Sequence, residues 1–165
     1  FLDNVIAAIR RAQNSLLVEG VKYEQINGAY YEMRLFEHEE IETYLSNLFA
    51  VSKMEKTPFN YVPIDSEVEN NFARDCEADE NIKFFFKLPR GFKVRTPIGD
   101  YTPDWAIIFD HDRRIYFIAE TKGTLNRQLL REVERMKLEC GAKHFALFKP
   151  SGVQHKLAVT TRDLY

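Results

Sequence analysis

The sequence lacks the features that mark several common protein classes. It has no apolar run long enough to span a membrane and no visible signal peptide, so we expect no membrane association. Its two cysteines, Cys76 and Cys140, form no zinc-binding pattern and need form no disulfide, which fits a reducing cytoplasm. No G-x-x-x-x-G-K-S/T motif occurs, so these residues contain no phosphate-binding loop of an ATPase. Because the chain begins with Phe1, we expect it to be a piece of a larger protein.

The chain also lacks a basic excess. Its net charge is only −2, which argues against a plain DNA-binding module, because such modules usually carry a positive charge. It argues less against an enzyme that acts on nucleic acid, since local basic patches and a metal ion can hold phosphates. With 165 residues, 45% of them apolar and 29% charged, the chain predicts one ordinary globular domain with a helical appendage.

The most informative stretch is the 23-residue segment YTPDWAIIFDHDRRIYFIAETKG. Two runs of aromatic and β-branched residues, Tyr101–Phe109 and Ile115–Lys122, flank the polar turn DHDRR and predict a β-hairpin. If the turn centres on Asp112, Asp104 lies directly opposite Glu120, and the two side chains share one face. Lys122 is two residues beyond Glu120 and shares that face as well. The sequence therefore predicts two carboxylates and one ammonium at one end of an apolar hairpin.

This charge cluster indicates a metal site. Two carboxylates at such a distance disfavour joint ionisation, and a hard cation between them removes the penalty. Mg²⁺ prefers oxygen ligands, usually one or two carboxylates with waters and a substrate phosphate. The alternative is a structural ion pair between Lys122 and a carboxylate at a strand end, since short patterns recur by chance. The apolar surroundings and Pro103 before Asp104 favour the metal site.

The periodicity of the remaining chain predicts alternating helices and strands. Leu2, Ile6 and Ile9 indicate a short helix, and Asn27-Gly28 indicates a hairpin of Val21–Ile26 with Ala29–Leu35. Helices are further predicted over Glu37–Ala50, Ile64–Asp79 and Thr124–Cys140, the last ended by Gly141, and strands over Asn81–Leu88, Phe92–Thr96 and His144–Lys149. Thr57–Pro63 is predicted as a connector.

A family resemblance accompanies these patterns. Pro103-Asp104 followed by Glu120-Thr121-Lys122 looks like the PD-(D/E)XK nuclease signature. The ordered blocks YEMRLFEHEEIETYLSN, DSEVENNFARDCE, FFFKLP, TPIGDYTPDWAIIF and IAETKG together resemble the C-terminal nuclease domain of the Res subunit of type III restriction endonucleases. The likeness extends from about Tyr23 to about Phe148.

The resemblance implies an α/β fold with a restriction-endonuclease-like PD-(D/E)XK core, in which helices flank a central mixed β-sheet. We expect residues 1–60 to be an accessory region with a helix and a hairpin, linking to an upstream motor, and residues 61–165 to be the nuclease core. The implied activity is Mg²⁺-dependent hydrolysis of phosphodiester bonds in double-stranded DNA, with Mn²⁺ as a substitute. ATP and S-adenosylmethionine would act only through a parent complex of a helicase-like Res domain with a Mod methyltransferase subunit.

The resemblance also suggests roles for individual residues. Asp104 and Glu120 are expected to bind the metal, with the backbone carbonyl of Thr121 as a further ligand, and Lys122 to act on the attacking water. Glu67 at the start of the Ile64–Asp79 helix is a further candidate ligand, although an acid at a helix start is also favoured by the helix dipole alone.

Basic residues near the predicted site are candidates for DNA binding. The stretch from Lys83 to Arg95 carries five basic residues and no acid. They are Lys83, Lys87, Arg90, Lys93 and Arg95, and Gln128 is a further candidate near the start of the following helix. The same charges serve equally well to keep exposed strand edges soluble, so both interpretations stay open.

Two other functions remain as alternatives at this point. One is a different PD-(D/E)XK nuclease of DNA repair, recombination or transposition, which would share the site but need no motor. The other is an inactive nuclease fold that serves as a docking module. The presence of Asp104, Glu120 and Lys122 together argues against the second alternative.

Overall fold

The computed structural model describes residues 1–26, 47–120 and 131–165, and at residues 112, 113, 119 and 120 the description covers the backbone only. The elements are α1 (Leu2–Gly20), β1 (Leu48–Ala50), β2 (Tyr61–Pro63), α2 (Glu67–Ala78), β3 (Ile82–Lys87), β4 (Trp105–Phe109), β5 (Asp112–Glu120), α3 (Glu132–Ala146) and β6 (Val153–Ala158). Short 3-10 helices lie at Met54–Lys56, Lys149–Ser151 and Thr161–Leu164. None of the helices in these ranges combines the length and hydrophobicity that a membrane span requires.

A mixed four-stranded sheet in the order β3-β4-β5-β6 forms the centre. β4 pairs antiparallel with both β3 and β5, whereas β5 pairs parallel with β6. The parallel pair requires a crossover, and α3 lies within that connection. From α2 onward the order is therefore helix, three strands, helix and strand.

Each face of the sheet packs against one helix, because successive side chains of a strand point to opposite faces. On one face, Trp105 and Ile118 pack with Phe72 of α2, and all three side chains are almost fully buried. On the other face, Phe117 stacks on Phe145 of α3 with ring centroids 4.7 Å apart. Trp105 therefore belongs to the core.

α2 forms for the reasons that its sequence indicates. Ser66 precedes the first helical residue, and its hydroxyl accepts a hydrogen bond from the Glu69 N–H at 3.1 Å, as an N-cap does. Phe72 and Cys76 recur at helical spacing on the buried side of the helix, where they pack against the sheet. The helix ends at Ala78, and the N–H of the next residue, Asp79, donates to the Asp75 carbonyl at 2.9 Å.

The N-terminal region contains a longer helix than predicted. α1 has 19 residues, and Val18 near its end is buried against Met136 and Cys140 of α3. Residues 27–46, which include the predicted hairpin turn and most of the Glu37–Ala50 helix, lie outside the described residues. Leu48–Ala50 is a strand rather than the predicted helix end, because it pairs with β2 inside the predicted connector. The structure assigns no strand to Val21–Ile26.

The predicted strand His144–Lys149 is wrong, because α3 continues through Gly141 to Ala146. A Cβ added to Gly141 would overlap the ring of Tyr101, so this glycine allows close packing and does not end the helix. The last strand is instead β6, which begins at Val153 after the turn at Gly152. The predicted strand Phe92–Thr96 is reduced to a single bridge between Val94 and Tyr101.

Candidate active site

The candidate site lies at one end of the sheet. We call the end that contains Lys87, Asp104 and the backbone of Glu120 the open end, and the end that contains the Asp110-His111 turn the turn end. The open end collects the last residues of β3 and β5 and the residue just before β4. His111 lies at the turn end, where its ring is 5.7 Å from that of Phe109.

The register of the hairpin differs from the prediction by one residue. Trp105 pairs with Ile118, and Ile108 pairs with Ile115, so Asp104 and Glu120 are not directly opposite each other. The predicted turn was too long, because β5 already begins at Asp112 and the register shifts between Ile108 and Phe109. Direct opposition is therefore no longer an argument that the two carboxylates share a face.

A β-bulge at Asp104 interrupts the simple alternation of faces. The Asp104 N–H donates to the Ile118 carbonyl at 2.8 Å, while the Asp104 carbonyl accepts from the Leu88 N–H at 2.8 Å. In a regular antiparallel pair, one residue exchanges both hydrogen bonds with the same partner. Asp104 and Trp105 instead both oppose Ile118, which is the arrangement of a bulge. Because bulges re-aim side chains, counting by twos from Trp105 does not assign Asp104 to a face.

The surroundings of Asp104 suit a site at the surface of the core. Pro103 is fully buried and anchors the chain immediately before the half-buried Asp104. Burial raises the pKa of the Tyr101 phenol well above its usual value, and the negative charge of Asp104 adds to this effect. The Asp104 carboxylate is therefore within electrostatic reach of a buried tyrosine hydroxyl.

Glu120 is the last residue of β5, and its backbone pairs with Ala158 of β6. Thr121, Lys122 and Gln128 lie outside the described residues, so their roles stay predictions. The residues that the structure describes contain no group of three or more His, Cys, Asp or Glu side chains that could hold a metal ion. The ligand set that we predict includes the Glu120 side chain, which that description does not cover.

The donor chemistry of the predicted set fits Mg²⁺. Asp104 and Glu120 contribute hard carboxylate oxygens, and Mg²⁺ is held in proteins by one or two carboxylates completed by waters and phosphate oxygens. The backbone of these two residues reaches the same end of adjacent strands. A sharing of one ion by the two carboxylates nevertheless stays a prediction.

The first turn of α2 borders a cleft beside the open end. Glu67 is exposed there, and the cleft has a volume of about 360 Å³. Its lining consists of Asn47, Leu48, Ile64, Asp65, Ser66, Glu67 and Asn70. Glu67 thus faces an open space that a metal or a phosphate could enter, although a metal role for this residue is untested.

The five basic residues predicted to bind DNA do not form one surface. Lys83 lies at the turn end, where its Nζ is 3.9 Å from Asp110 Oδ1. Lys93 forms an exposed ion pair with Asp100 at 3.7 Å, and Arg90 and Arg95 are exposed. Lys87 differs from these residues, because its side chain is only 14% exposed and already contacts two carboxylates. Contacts with DNA remain a prediction for all five.

Two arrangements, the first of them at the open end, were not predicted from the sequence. The first is the ion-pair cluster of Lys87 with Asp65 and Glu69, for which the position of Lys87 at the end of an apolar strand was the only available signal. The second is a hydrogen bond of 2.6 Å between the Tyr101 hydroxyl and His155 Nε2. Nothing in the sequence pairs these two residues, because β6 was predicted too early in the chain.

The mixed four-stranded sheet with a helix on each face is the α/β architecture predicted for a restriction-endonuclease-like, PD-(D/E)XK core. Residues 55–162 match the family model described as an endonuclease domain. This match covers more than half of the chain, so the chain belongs to that endonuclease domain family. Comparisons with curated proteins and with solved structures found no match. Family membership supports a nuclease, and thus a hydrolase, with DNA as the suggested substrate.

Proposed function

We propose that the chain is a Mg²⁺-dependent endonuclease domain that hydrolyses phosphodiester bonds of double-stranded DNA. We propose further that it is the cleavage module of a Res subunit of a type III restriction enzyme. Support comes from one observation above all: a chain of an endonuclease family carries Asp104 in a bulge at the same end of the sheet as the backbone of Glu120.

In this proposal the carboxylates of Asp104 and Glu120 hold the metal, the Thr121 carbonyl is a further ligand, and Glu67 is an additional candidate. When bound, Mg²⁺ or Mn²⁺ would supply Lewis-acid polarisation of the scissile phosphate and neutralise developing negative charge. The carboxylates bind the metal and orient it toward the phosphate. The buried side chains of Trp105 and Pro103 keep the backbone of Asp104 in position.

Lys122 acts on the attacking water in this mechanism. Water attacks phosphorus, the bond from phosphorus to the leaving oxygen breaks, and one proton of the water must be accepted. A lysine has an ordinary pKa of about 10.4, so Lys122 can accept that proton only if burial or a neighbouring cation lowers its pKa. As an ammonium, it instead orients the water and stabilises the negative charge of the transition state.

The partners in this proposal are double-stranded DNA, an upstream helicase-like domain and a Mod methyltransferase subunit. The motor would use ATP and Mod would use S-adenosylmethionine, and neither molecule would bind to this chain. Exposed Arg90, Lys93 and Arg95 are candidates for phosphate contacts. We propose a cytoplasmic location, where host and foreign DNA are both accessible.

The proposal predicts that Lys122→Ala loses cleavage while the domain stays folded. We expect the rate to fall by about 10²–10⁴-fold, which is the range for removing a group that transfers or orients a proton. The measurement is Mg²⁺-dependent cleavage of plasmid DNA, with circular dichroism to verify the fold. A Lys122→Ala protein that cleaves at the wild-type rate would end this assignment.

Metal binding provides a second measurement for the same proposal. Calorimetric titration of Mn²⁺ into the wild-type chain should show binding that disappears in Asp104→Asn, because the amide lacks the negative charge. Cleavage by the chain without motor or Mod would favour a repair or recombination nuclease. Cleavage that requires Mod, ATP and the motor domain would support the type III assignment.

A further inference from the structure

Lys87 is the centre of a largely buried ion-pair cluster at the open end. Its Nζ lies 2.6 Å from Glu69 Oε2 and 3.1 Å from Asp65 Oδ2. The side chains of Lys87 and Glu69 are 14% and 13% exposed, whereas that of Asp65 is 67% exposed. Glu69 Oε2 also accepts a hydrogen bond from the Asp65 N–H at 2.8 Å. One lysine therefore joins both carboxylates that flank the first turn of α2.

This cluster connects α2 to the strand beside Asp104. Lys87 is the last residue of β3 and pairs with Trp105, and the N–H of the next residue, Leu88, donates to the Asp104 carbonyl. Glu67 lies between Asp65 and Glu69, so the ion pairs enclose it on both sides along the chain. A single side chain thus links the backbone that carries Asp104 to the helix turn that carries Glu67.

The arrangement differs from a lysine that waits for a phosphate. Two of the three ammonium donors of Lys87 already contact carboxylates, and little of the side chain meets solvent. Burial alone would lower the pKa of Lys87, but the hydrogen bonds and charges of Glu69 and Asp65 outweigh burial and hold this pKa above its usual value. By contrast, Lys83 and Lys93 form long ion pairs in which at least half of each side chain is exposed.

We propose that Lys87 is a positioning residue of the nuclease: through Glu69 and Asp65 it fixes the first turn of α2, and with it Glu67, relative to Asp104. This inference rests on the proposed function and assigns Lys87 a role other than the DNA contact expected from sequence. Without Lys87, the carboxylates of Asp65 and Glu69 lose the cation that joins them to β3, so we expect the first turn of α2 to be held less firmly against the sheet.

The test compares Lys87→Met, Lys87→Arg and Lys56→Met. Lys56 is a matched control, because it is a buried lysine whose Nζ donates to the Glu77 and Asp79 carbonyls at the other end of α2. We expect Lys87→Met to lower kcat about 10–100-fold and to weaken Mn²⁺ binding, as removal of a supporting contact to a metal site does. KM for DNA should change little. Lys87→Arg should retain most of the kcat and most of the Mn²⁺ affinity, because the guanidinium keeps the positive charge and paired donors.

Lys56→Met should destabilise the domain without changing kcat or Mn²⁺ affinity of the folded protein. The opposite pattern for Lys87→Met, a higher KM with a smaller salt dependence and an unchanged kcat, would identify a phosphate contact and overturn the proposal. Should Lys87→Met fail to fold, Glu69→Gln provides the same comparison, since it keeps the size of the side chain.

Hydrogen exchange separates this inference from the proposed function. In Lys87→Met, but not in Lys87→Arg, we expect the amides of residues 67–70 to exchange faster than in the wild type. If the wild-type chain neither cleaves DNA nor binds Mn²⁺, the proposed function fails, and the exchange measurement still tests the positioning. Unchanged exchange at these amides in Lys87→Met would overturn the positioning role, whatever the activity.

Discussion

The two ends of α2 are both held by a buried lysine, but the two lysines are stabilised in different ways. At the C-terminal end, Lys56 donates to the backbone carbonyls of Glu77 and Asp79 at 3.0 and 2.6 Å. A cation at that position is favoured by the partial negative charge of the helix C-terminus. At the N-terminal end the helix dipole disfavours a cation, so Lys87 requires the carboxylates of Asp65 and Glu69.

The pKa directions of the two lysines reflect this difference. Burial, followed by the charge of Lys53, lowers the pKa of Lys56 below its usual value. For Lys87 the nearby carboxylates outweigh burial and raise the pKa. At the turn end, Lys56 is thus held by neutral backbone carbonyls, as in a structural cap. At the open end Lys87 instead meets two formal negative charges, and an ion pair of this kind is by itself weak evidence for stability.

The largest expected difference between the two ends is in activity. Glu120→Gln at the open end should lower the cleavage rate by about 10³-fold, because the amide cannot replace a charged metal ligand. Asp110→Asn at the turn end should change the rate less than about threefold, since the ion pair of Asp110 with Lys83 is exposed. Single-turnover cleavage measures the rates of both variants, and thermal melting verifies that both are folded. Equal losses of activity in the two variants would contradict the assignment of chemistry to the open end.

A smaller effect is expected on stability, where Gly141 at a closely packed position can be compared with Gly20 at an open one. Ala at Gly141 would meet the ring of Tyr101, so we expect Gly141→Ala to lower the free energy of unfolding by about 1–3 kcal/mol. Gly20, at the end of α1, has no atoms within 4 Å of an added Cβ, and Gly20→Ala should be neutral or slightly stabilising. Urea unfolding measures both.

A stabilising Gly141→Ala would mean that this glycine only weakens the helix. Its close approach to Tyr101 would then have no energetic importance, and the continuation of α3 through Gly141 would need another physical reason.

The sequence predicted the elements that depend on local patterns. The capping residue Ser66, the buried stripe of α2 and the apolar run of β3 are all readable from spacing, and each is present. The presence of Asp104 and the Glu120 backbone at one end of the sheet also follows from the hairpin pattern.

The features that sequence could not predict depend on tertiary packing. The length of the turn in the DHDRR segment sets the register of β4 with β5, and this segment is compatible with several turn lengths. The bulge at Asp104 arises from hydrogen bonds to both neighbouring strands. Gly141 resembles a helix end in the sequence, because the Tyr101 ring that it contacts is 40 residues away along the chain. Lys87 was assigned to DNA because its carboxylate partners lie on a different element.

The smallest expected effect concerns the turn end and depends on pH. The Tyr165 hydroxyl donates to Asp79 Oδ2 at 2.7 Å. Burial alone would raise the pKa of Asp79, but hydrogen bonds from Tyr165 and Asn81 outweigh it, and the pKa lies below its usual value of about 3.9. The bond is exposed, so we expect Tyr165→Phe to lower the free energy of unfolding at pH 7 by no more than about 1 kcal/mol.

A carboxyl with a lowered pKa stabilises the folded state above its unfolded pKa, and this contribution disappears as the pH falls through the folded value. The stability difference between wild type and Tyr165→Phe should therefore shrink below about pH 4. Urea unfolding at pH 7 and at about pH 2.5 measures it, with Tyr61→Phe at an exposed ring as the control. Because Lys87 and its partners lie at the opposite end of α2, Tyr165→Phe should leave the cleavage rate unchanged at pH 7. A loss of activity would mean that the two ends of the helix are coupled, and the division between a structural end and a chemical end would not hold.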